Sequence, residues 1–189
     1  MSLWLIVTHS LFFVHRGKKI EMNFWEQLKS GKFAQMVKET SRGCKVMNSN
    51  VAFNVIKPLA AAHDDVEVMY GIFLDTKNKV LGIDELASGT ITSAVVYPRE
   101  TVKAALERKA SALILAHNHP SGDPMPSDND DALTRRLYAA LSVVEVNLLD
   151  HIVVGDSYYS YADEGKLIQI KAQRESLFRA PLQNQNGGK

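Results

Sequence analysis

The sequence has only one cysteine among its 189 residues. Cys44 has no second cysteine to pair with, so an intramolecular disulfide is excluded and nothing requires an oxidising compartment. We therefore expect a cytoplasmic protein. For the same reason, a metal site in this chain must use nitrogen and oxygen ligands, or Cys44 together with residues distant from it in sequence.

Charge of one sign is also scarce. The 22 lysine and arginine residues nearly balance the 21 aspartate and glutamate residues, which leaves a formal net charge of +1 at pH 7. This balance gives no support to nucleic acid as a partner, although it is compatible with a local basic patch. Because 46% of the residues are hydrophobic, the chain has enough apolar material for one globular core.

The sequence has no apolar run long enough to cross a bilayer, which takes about 20 residues, so no integral membrane span is expected. The apolar stretch at residues 1–14 is shorter, and positive charges follow it rather than precede it as in a signal peptide. We interpret residues 1–22 as a peripheral extension and residues 23–62 as a helical segment. The main domain is predicted at residues 63–172, and the polar residues 173–189 are predicted to be a flexible tail.

Short apolar runs typical of strands alternate along the chain with helical patterns. Pro58 is expected to kink the first of the predicted helices or to end it early. The order of the elements predicts an α/β fold in which helices flank a mixed sheet. Strands are predicted at Glu67–Leu74, Lys79–Ile83, Ser88–Val96, Ser111–Ala116, Val146–Val154 and Ser157–Tyr161, and helices at Asn50–Ala62, from Pro98 onward and at Asp128–Val143.

Two histidines stand two residues apart at the end of the predicted strand Ser111–Ala116. Alternate residues of a strand point to the same side, so the imidazoles of His117 and His119 can converge on one point. Asp130 follows beyond a loop with three prolines, in the first turn of the predicted helix. Two imidazoles and one carboxylate with one open position are the ligand arrangement of catalytic zinc.

The same segment also has a purely structural interpretation. Ser127 and Asp130 have the spacing of a capping box, in which the two side chains stabilise the start of a helix. An H-x-H pair is by itself weak evidence for a metal. The metal site is favoured by the combination of strand-end histidines, a constrained loop and a carboxylate at a helix start.

These residues resemble the signature of the JAMM/MPN (JAB) zinc metalloprotease superfamily, which is H-x-H, a short gap, then S-x-x-D. Here the gap is residues 120–126. The sequence HNHPSGDPMPS at 117–127 is similar, more narrowly, to RadC-like members of that superfamily, as are YPRE at 97–100 and LDHIVVG at 149–155. The resemblance implies a single JAB/MPN-type catalytic domain over residues 63–172, with cytidine-deaminase-like layering.

The resemblance also implies how a metal would be held. His117, His119 and Asp130 are expected to bind Zn²⁺, with water in a fourth position. Ser127 is expected to donate a hydrogen bond to the developing oxyanion or to the bound water.

A glutamate at the start of the first core strand would then be the general base. Glu67 fits that place best, and Glu85 is the alternative. His151 has two interpretations: it supports a ligand imidazole from behind, or it is simply packed in a strand.

The activity implied by the resemblance is that of a zinc-dependent metallohydrolase, a peptidase or isopeptidase with a peptide or protein substrate. The alternative is a DNA-repair-associated accessory protein without proteolytic activity. Longer RadC-like proteins are labelled as repair factors and carry an N-terminal helix-hairpin-helix region. Residues 1–62 show neither its paired glycine hairpins nor a basic stripe, so a nucleic-acid partner has no direct support.

Overall fold

The computed structural model describes residues 5–7, 10–15, 18–23, 31–63, 65–89 and 96–179. The strands, in chain order, are β1 Leu5–Val7, β2 Ser10–His15, β3 Lys18–Asn23, β4 Glu67–Leu74, β5 Val80–Gly89, β6 Ala112–Asn118, β7 Asn147–Val154 and β8 Tyr158–Ser160. The helices are α1 Lys32–Thr40, α2 Ser49–Ala60, α3 Pro98–Glu107, α4 Asp128–Val143 and α5 Lys166–Arg179.

The main sheet contains five strands in the order β5-β4-β6-β7-β8. All neighbouring strands in it are antiparallel except β6 and β7, which run parallel and are connected through α4. Strands β1, β2 and β3 form a separate antiparallel sheet of three strands. The main sheet and its helices confirm the prediction of an α/β fold with a mixed sheet.

Helices pack against both faces of the main sheet, because alternate strand residues point in opposite directions. One face packs against α2 and the edge of α1, and we call it the α2 face. The other packs against α3, α4 and α5, and we call it the α4 face. The buried side chains of the α2 face include Ile56, Leu59, Ile72, Ile114 and Ala116, and those of the α4 face include Phe73, Ala105, Leu115, Leu137, Leu141 and Leu167.

Several predicted boundaries are confirmed to the residue. Strand β4 occupies Glu67–Leu74 and helix α4 occupies Asp128–Val143, as the sequence predicts. The predicted turn after β4 is also present. Asp75 Oδ1 accepts from the backbone N–H groups of Lys77 and Lys79, both at 2.8 Å, which closes the hairpin.

Other boundaries differ. Residues 80–89 form one continuous strand where two were predicted, because a bulge near Leu86 lets β5 stay paired with β4. The remainder of the predicted strand Ser88–Val96, at residues 90–95, lies outside the described residues. Helix α2 includes Pro58 in its last turn and ends at Ala60.

Helix α5 was not predicted, and it reaches into the segment 173–189 that was predicted to be a tail. Residues 180–189 of that segment lie outside the described residues. Among the helices that the structure describes, none combines the length and the apolar character needed to cross a membrane.

Candidate metal centre

The two histidines are presented by the end of the central strand β6. All seven residues of β6 are buried, and the strand lies between β4 and β7. The backbone N–H of His119 donates to the Val154 carbonyl at 2.8 Å, which continues the pairing with β7 one residue beyond β6. Strand alternation therefore places the side chains of His117 and His119 together on the α4 face.

The residue between the histidines faces the other way. Asn118 Nδ2 donates to the carbonyls of His63 and Val66 at 2.7 and 2.9 Å, and its Oδ1 accepts from the Val68 N–H at 2.8 Å. These bonds tie the end of β6 to the start of β4, where Glu67 lies. No role was predicted for Asn118, because its partners lie at least 50 residues away in sequence.

Asp130 enters the cluster from the N-terminus of α4. The Ser127 N–H and hydroxyl both donate to Asp130 Oδ2, at 2.7 and 2.6 Å, and the Asp130 N–H donates to Ser127 Oγ at 3.2 Å. This is the capping box that the spacing predicts. The cap is compatible with a metal site, since the other carboxylate oxygen, Asp130 Oδ1, lies 3.2 Å from His117 Nε2.

The three side chains surround a space of the size that a zinc ion needs. His117 Nε2 lies 3.0 Å from His119 Nε2 and 3.2 Å from Asp130 Oδ1, and His119 Nε2 lies 3.6 Å from Asp130 Oδ2. In a tetrahedral zinc site, bond lengths near 2.0–2.1 Å put neighbouring ligand atoms about 3.3 Å apart. The two distances from His117 Nε2 lie close to that value, so this ligand needs little movement to bind the ion.

The hydrogen bond on the far side of the His119 ring leaves its Nε2 available as a ligand. His119 Nδ1 lies 2.8 Å from the Asp123 carbonyl, which can only accept, so Nδ1 carries the proton of the neutral ring. The unprotonated Nε2 then faces His117 Nε2 and the Asp130 carboxylate. Lone pairs at this spacing repel unless a proton or a cation lies between them. The donor set therefore fits a divalent cation such as Zn²⁺.

The electrostatics of the metal-free cluster favour an ionised Asp130. Burial alone would raise the pKa of the Asp130 carboxyl, but the interactions of the carboxylate with His117, His119 and Ser127 hold that pKa well below its ordinary value. The Asp130 carboxylate is in turn the main cause of a raised pKa for His119. In the metal-free protein a proton on His119 therefore partly takes the place of a cation.

Glu67, the first residue of β4, brings a further carboxylate to the cluster. Its Oε1 lies 3.9 Å from His119 Nε2, and its side chain is 16% exposed. Burial raises the pKa of the Glu67 carboxyl, an effect that the interactions with His117 and His119 oppose. A raised pKa suits a group that must take up and release a proton near neutral pH.

Glu85 lies on the opposite face of the sheet. It pairs with Tyr70 across β4 and β5, and residues directly opposite each other share a face. Tyr70 is part of the core on the α2 face. The register shift between Met69 and Tyr70 decides this placement. The structure therefore brings Glu67, and not Glu85, to the two histidines.

His151 lies behind the cluster on β7 and is completely buried. Its Nε2 lies 2.9 Å from His117 Nδ1, and its Nδ1 lies 2.7 Å from Thr134 Oγ1 on α4. Burial lowers the pKa of His151 well below its ordinary value, so the ring is neutral. The sequence alone does not predict a role for Thr134, because a threonine within a helix carries no signal of its own.

The mixed sheet, the strand-end histidines and the capped aspartate together define a JAB-type domain with a candidate metal centre. The RadC-like JAB domain family matches residues 46–166, more than half of the chain, and the protein belongs to that family.

The chain is also similar to proteins named UPF0758 from several bacteria. It is 54% identical to one from Thioalkalivibrio sulfidiphilus over 101 residues, which are 53% of this chain and 45% of the relative. Identity to one from Symbiobacterium thermophilum is 42% over 127 residues, which are 67% of this chain and 54% of the relative. For one from Vibrio cholerae it is 50% over 101 residues, which are 53% and 64%. The chain thus spans about half the length of the curated relatives it matches, and their names state no activity.

Proposed function

We propose that this protein is a zinc-dependent metallohydrolase that cleaves an amide bond, as a peptidase or an isopeptidase. The observation that carries the proposal is the convergence of His117, His119 and Asp130, with the Glu67 carboxylate 3.9 Å from His119 Nε2. Three nitrogen and oxygen ligands with one open position are typical of catalytic zinc, whereas structural zinc has four protein ligands.

His117 and His119 would hold the ion through their Nε2 atoms, and Asp130 through its carboxylate. When bound, Zn²⁺ at this place supplies Lewis acidity, which polarises a carbonyl and lowers the pKa of water towards about 7. The chain's own contribution is to fix these ligands on a buried strand and a capped helix start, so that they need not reorganise during the reaction.

Glu67 would act as the proton carrier. Its Oε1 takes a proton from the attacking water and delivers it to the nitrogen of the leaving amine. The partial burial of Glu67 supports this role, since it raises the pKa of the carboxyl. The hydrogen bonds of Asn118 to Val66 and Val68 fix the backbone on both sides of Glu67.

The Ser127 hydroxyl has two different roles in this proposal. In this structure its hydroxyl donates to Asp130 Oδ2 at 2.6 Å, which orients the ligand carboxylate. A hydrogen bond from the same hydroxyl to the developing oxyanion requires rotation of the Ser127 side chain away from Asp130. We propose that the first role holds in the resting enzyme and the second during the reaction.

A groove adjoins His119, but Glu67, His117 and Asp130 do not line it. Its volume is about 290 Å³, which is at the small end of the range of ligand pockets. Because α2 residues and Asn118 contribute to its lining, the groove opens toward the α2 face, away from Glu67. It is lined by residues that include Lys57, His63, Asn118, Pro120, Gly155 and Asp156.

The test combines zinc content with hydrolysis of a fluorescence-quenched peptide library and of a lysine isopeptide substrate. The variants are Glu67→Gln and, as a matched control, Glu85→Gln, which changes the same kind of residue on the other face of the sheet. We expect one zinc per chain in the wild type and both variants. Hydrolysis should fall by about 100-fold or more in Glu67→Gln alone, since general acid–base catalysis contributes 10²–10⁴-fold.

Three results would contradict the proposal. If the wild-type protein has no bound zinc, it is not a zinc enzyme. If the wild type binds zinc but hydrolyses neither class of substrate, it does not cleave amide bonds. If Glu67→Gln and the wild type have equal rates, Glu67 is not the general base.

A further inference from the structure

A chain of hydrogen bonds behind the cluster joins two of the candidate ligands through residues that are not ligands themselves. It runs from His117 Nδ1 to His151 Nε2 at 2.9 Å, from His151 Nδ1 to Thr134 Oγ1 at 2.7 Å, and from Thr134 Oγ1 to the Asp130 carbonyl at 2.6 Å. All four residues are buried; Thr134 and His151 are fully inaccessible to solvent. Its members contact one another directly, without a group between them.

The proton positions along this chain follow from its last acceptor. The Asp130 carbonyl can only accept, so the single hydroxyl proton of Thr134 is donated to it. Thr134 Oγ1 must then accept from His151, which puts the proton of the neutral His151 ring on Nδ1. His151 Nε2 is left as an acceptor, so His117 donates from Nδ1. His117 Nε2 is the remaining unprotonated atom, and it faces Asp130 and His119.

We infer that Thr134 and His151 are positioning residues that fix the tautomer and the ring orientation of His117 for metal binding. The inference rests on the proposed metal centre and deepens it, since it names what prepares one ligand before the ion arrives. Thr134 is the key residue, because its hydroxyl donates to the Asp130 carbonyl and must therefore accept from His151. This sets the direction of each further hydrogen bond towards His117.

Tyr161 packs on the His151 ring of this hydrogen-bond chain. The Tyr161 ring stacks on His151, with ring centroids 4.9 Å apart and an interplanar angle of 20°. The Tyr161 hydroxyl donates to Asp131 Oδ1 at 2.7 Å, one residue along α4 from the ligand. The His151 ring is therefore fixed by packing on its face and by hydrogen bonds at both nitrogens.

Substitution of Thr134 separates a positioning role from simple packing. Thr134→Val keeps the shape and removes the hydroxyl, whereas Thr134→Ser keeps the hydroxyl and removes a methyl group. We expect zinc affinity, measured by competition with a chromophoric chelator, to fall by about 10- to 100-fold in Thr134→Val. Thr134→Ser should stay within about threefold of the wild type, because it preserves the proton order.

Ser142→Ala is the matched control for loss of a hydroxyl from the same helix. Ser142 donates to the Ala139 carbonyl at 2.9 Å, near the other end of α4. We expect wild-type zinc affinity in this variant. If Thr134→Val fails to fold, His151→Gln is tested in its place. The glutamine amide cannot reproduce both hydrogen bonds of the His151 ring. We expect His151→Gln to weaken zinc binding to a similar degree.

Nitrogen-15 NMR of the histidine side chains in the metal-free protein gives a readout that is independent of zinc and of activity. We expect His117 and His151 to be protonated at Nδ1 in the wild type, and the His151 tautomer to change in Thr134→Val. A wild-type His117 protonated at Nε2, or unchanged zinc affinity in Thr134→Val, would overturn the inference. Loss of zinc from the wild type with the tautomers as expected would instead overturn the proposed function.

Discussion

The two faces of the main sheet are built from the same strands but serve different purposes. On the α2 face, β4 and β6 contribute mostly apolar side chains such as Ile72 and Ile114. On the α4 face, the apolar side chains are followed by His117 near the end of β6 and preceded by Glu67 at the start of β4. Because β4 and β6 are antiparallel, the start of one meets the end of the other. A single strand register therefore fixes both the core and the site.

The largest expected effect comes from removing a ligand on the α4 face. His119→Ala should lower zinc affinity by more than about 100-fold, beyond the loss expected for residues that only support a ligand. Isothermal titration of the metal-free protein with zinc measures this change. His63→Ala, which changes a histidine in the adjoining groove outside the ligand set, should bind zinc as the wild type does. A tightly bound zinc in His119→Ala would contradict the ligand assignment.

The next largest effect is expected from a substitution on the α2 face, which should change stability but not zinc affinity. Ile72 is fully buried on the α2 face. Ile72→Ala should lower the free energy of unfolding by about 2–5 kcal/mol, because it leaves a cavity in the core. Zinc affinity should be unchanged in the folded protein. Chemical denaturation gives the first quantity, and Ile72→Val, at about 0.5–1.5 kcal/mol, calibrates it. Loss of zinc binding by folded Ile72→Ala would show that the two faces are coupled.

A smaller effect is expected from substitution of the residues that cap one helix on each face of the sheet. Ser127 caps α4 at the site, and Asn48 caps α2 on the other face, where its side chain accepts from the Val51 N–H at 2.9 Å. Substitution of either by alanine should cost about 0.5–2 kcal/mol of stability. Ser127→Ala alone should also weaken zinc binding, since its hydroxyl orients Asp130. Equal zinc affinities in the two variants would indicate that Ser127 is only a cap.

We expect the smallest effect from pH. The pKa of His119 is raised by its hydrogen bond with Asp130, so the stability that His119 contributes is fully present below the unfolded pKa near 6.5. It is lost as pH rises through the raised pKa. Zinc competes with that proton, so zinc-induced stabilisation should grow over the same range.

Thermal unfolding between pH 6 and 9, with zinc and with a chelator, measures both trends. His119→Gln removes the titrating group and should remove the downward trend of the metal-free protein. Wild-type and variant curves that run parallel in the presence of chelator would contradict the role of His119 in this dependence.

Much of the fold could be predicted from sequence because its signals are local. The apolar run of β4 and the capped, amphipathic α4 each carry their boundaries within one segment, and both bounds were correct. Helix α5 was missed, since Leu167 and Ile170 are the only buried apolar side chains among its described residues up to 173. The single strand β5 was missed because the bulge that preserves its pairing depends on β4.

In the candidate site, too, features with local sequence signals could be predicted, and features that depend on distant residues could not. The spacing of His117, His119 and Asp130 predicted a cluster that the structure brings together. The choice between Glu67 and Glu85 depended on the register of two strands, which the sequence does not specify. Thr134 could not be found in the sequence, because its importance comes from His151, 17 residues further along the chain.

Anomalous diffraction from crystals of the zinc-loaded protein at the zinc absorption edge tests the central claim most directly. We predict one peak per chain, about 2.0–2.2 Å from His117 Nε2, His119 Nε2 and an Asp130 carboxylate oxygen. The Glu67 carboxylate should lie beside the open position without binding the ion. A peak at another place in the chain, or no peak at these three residues, would contradict the account.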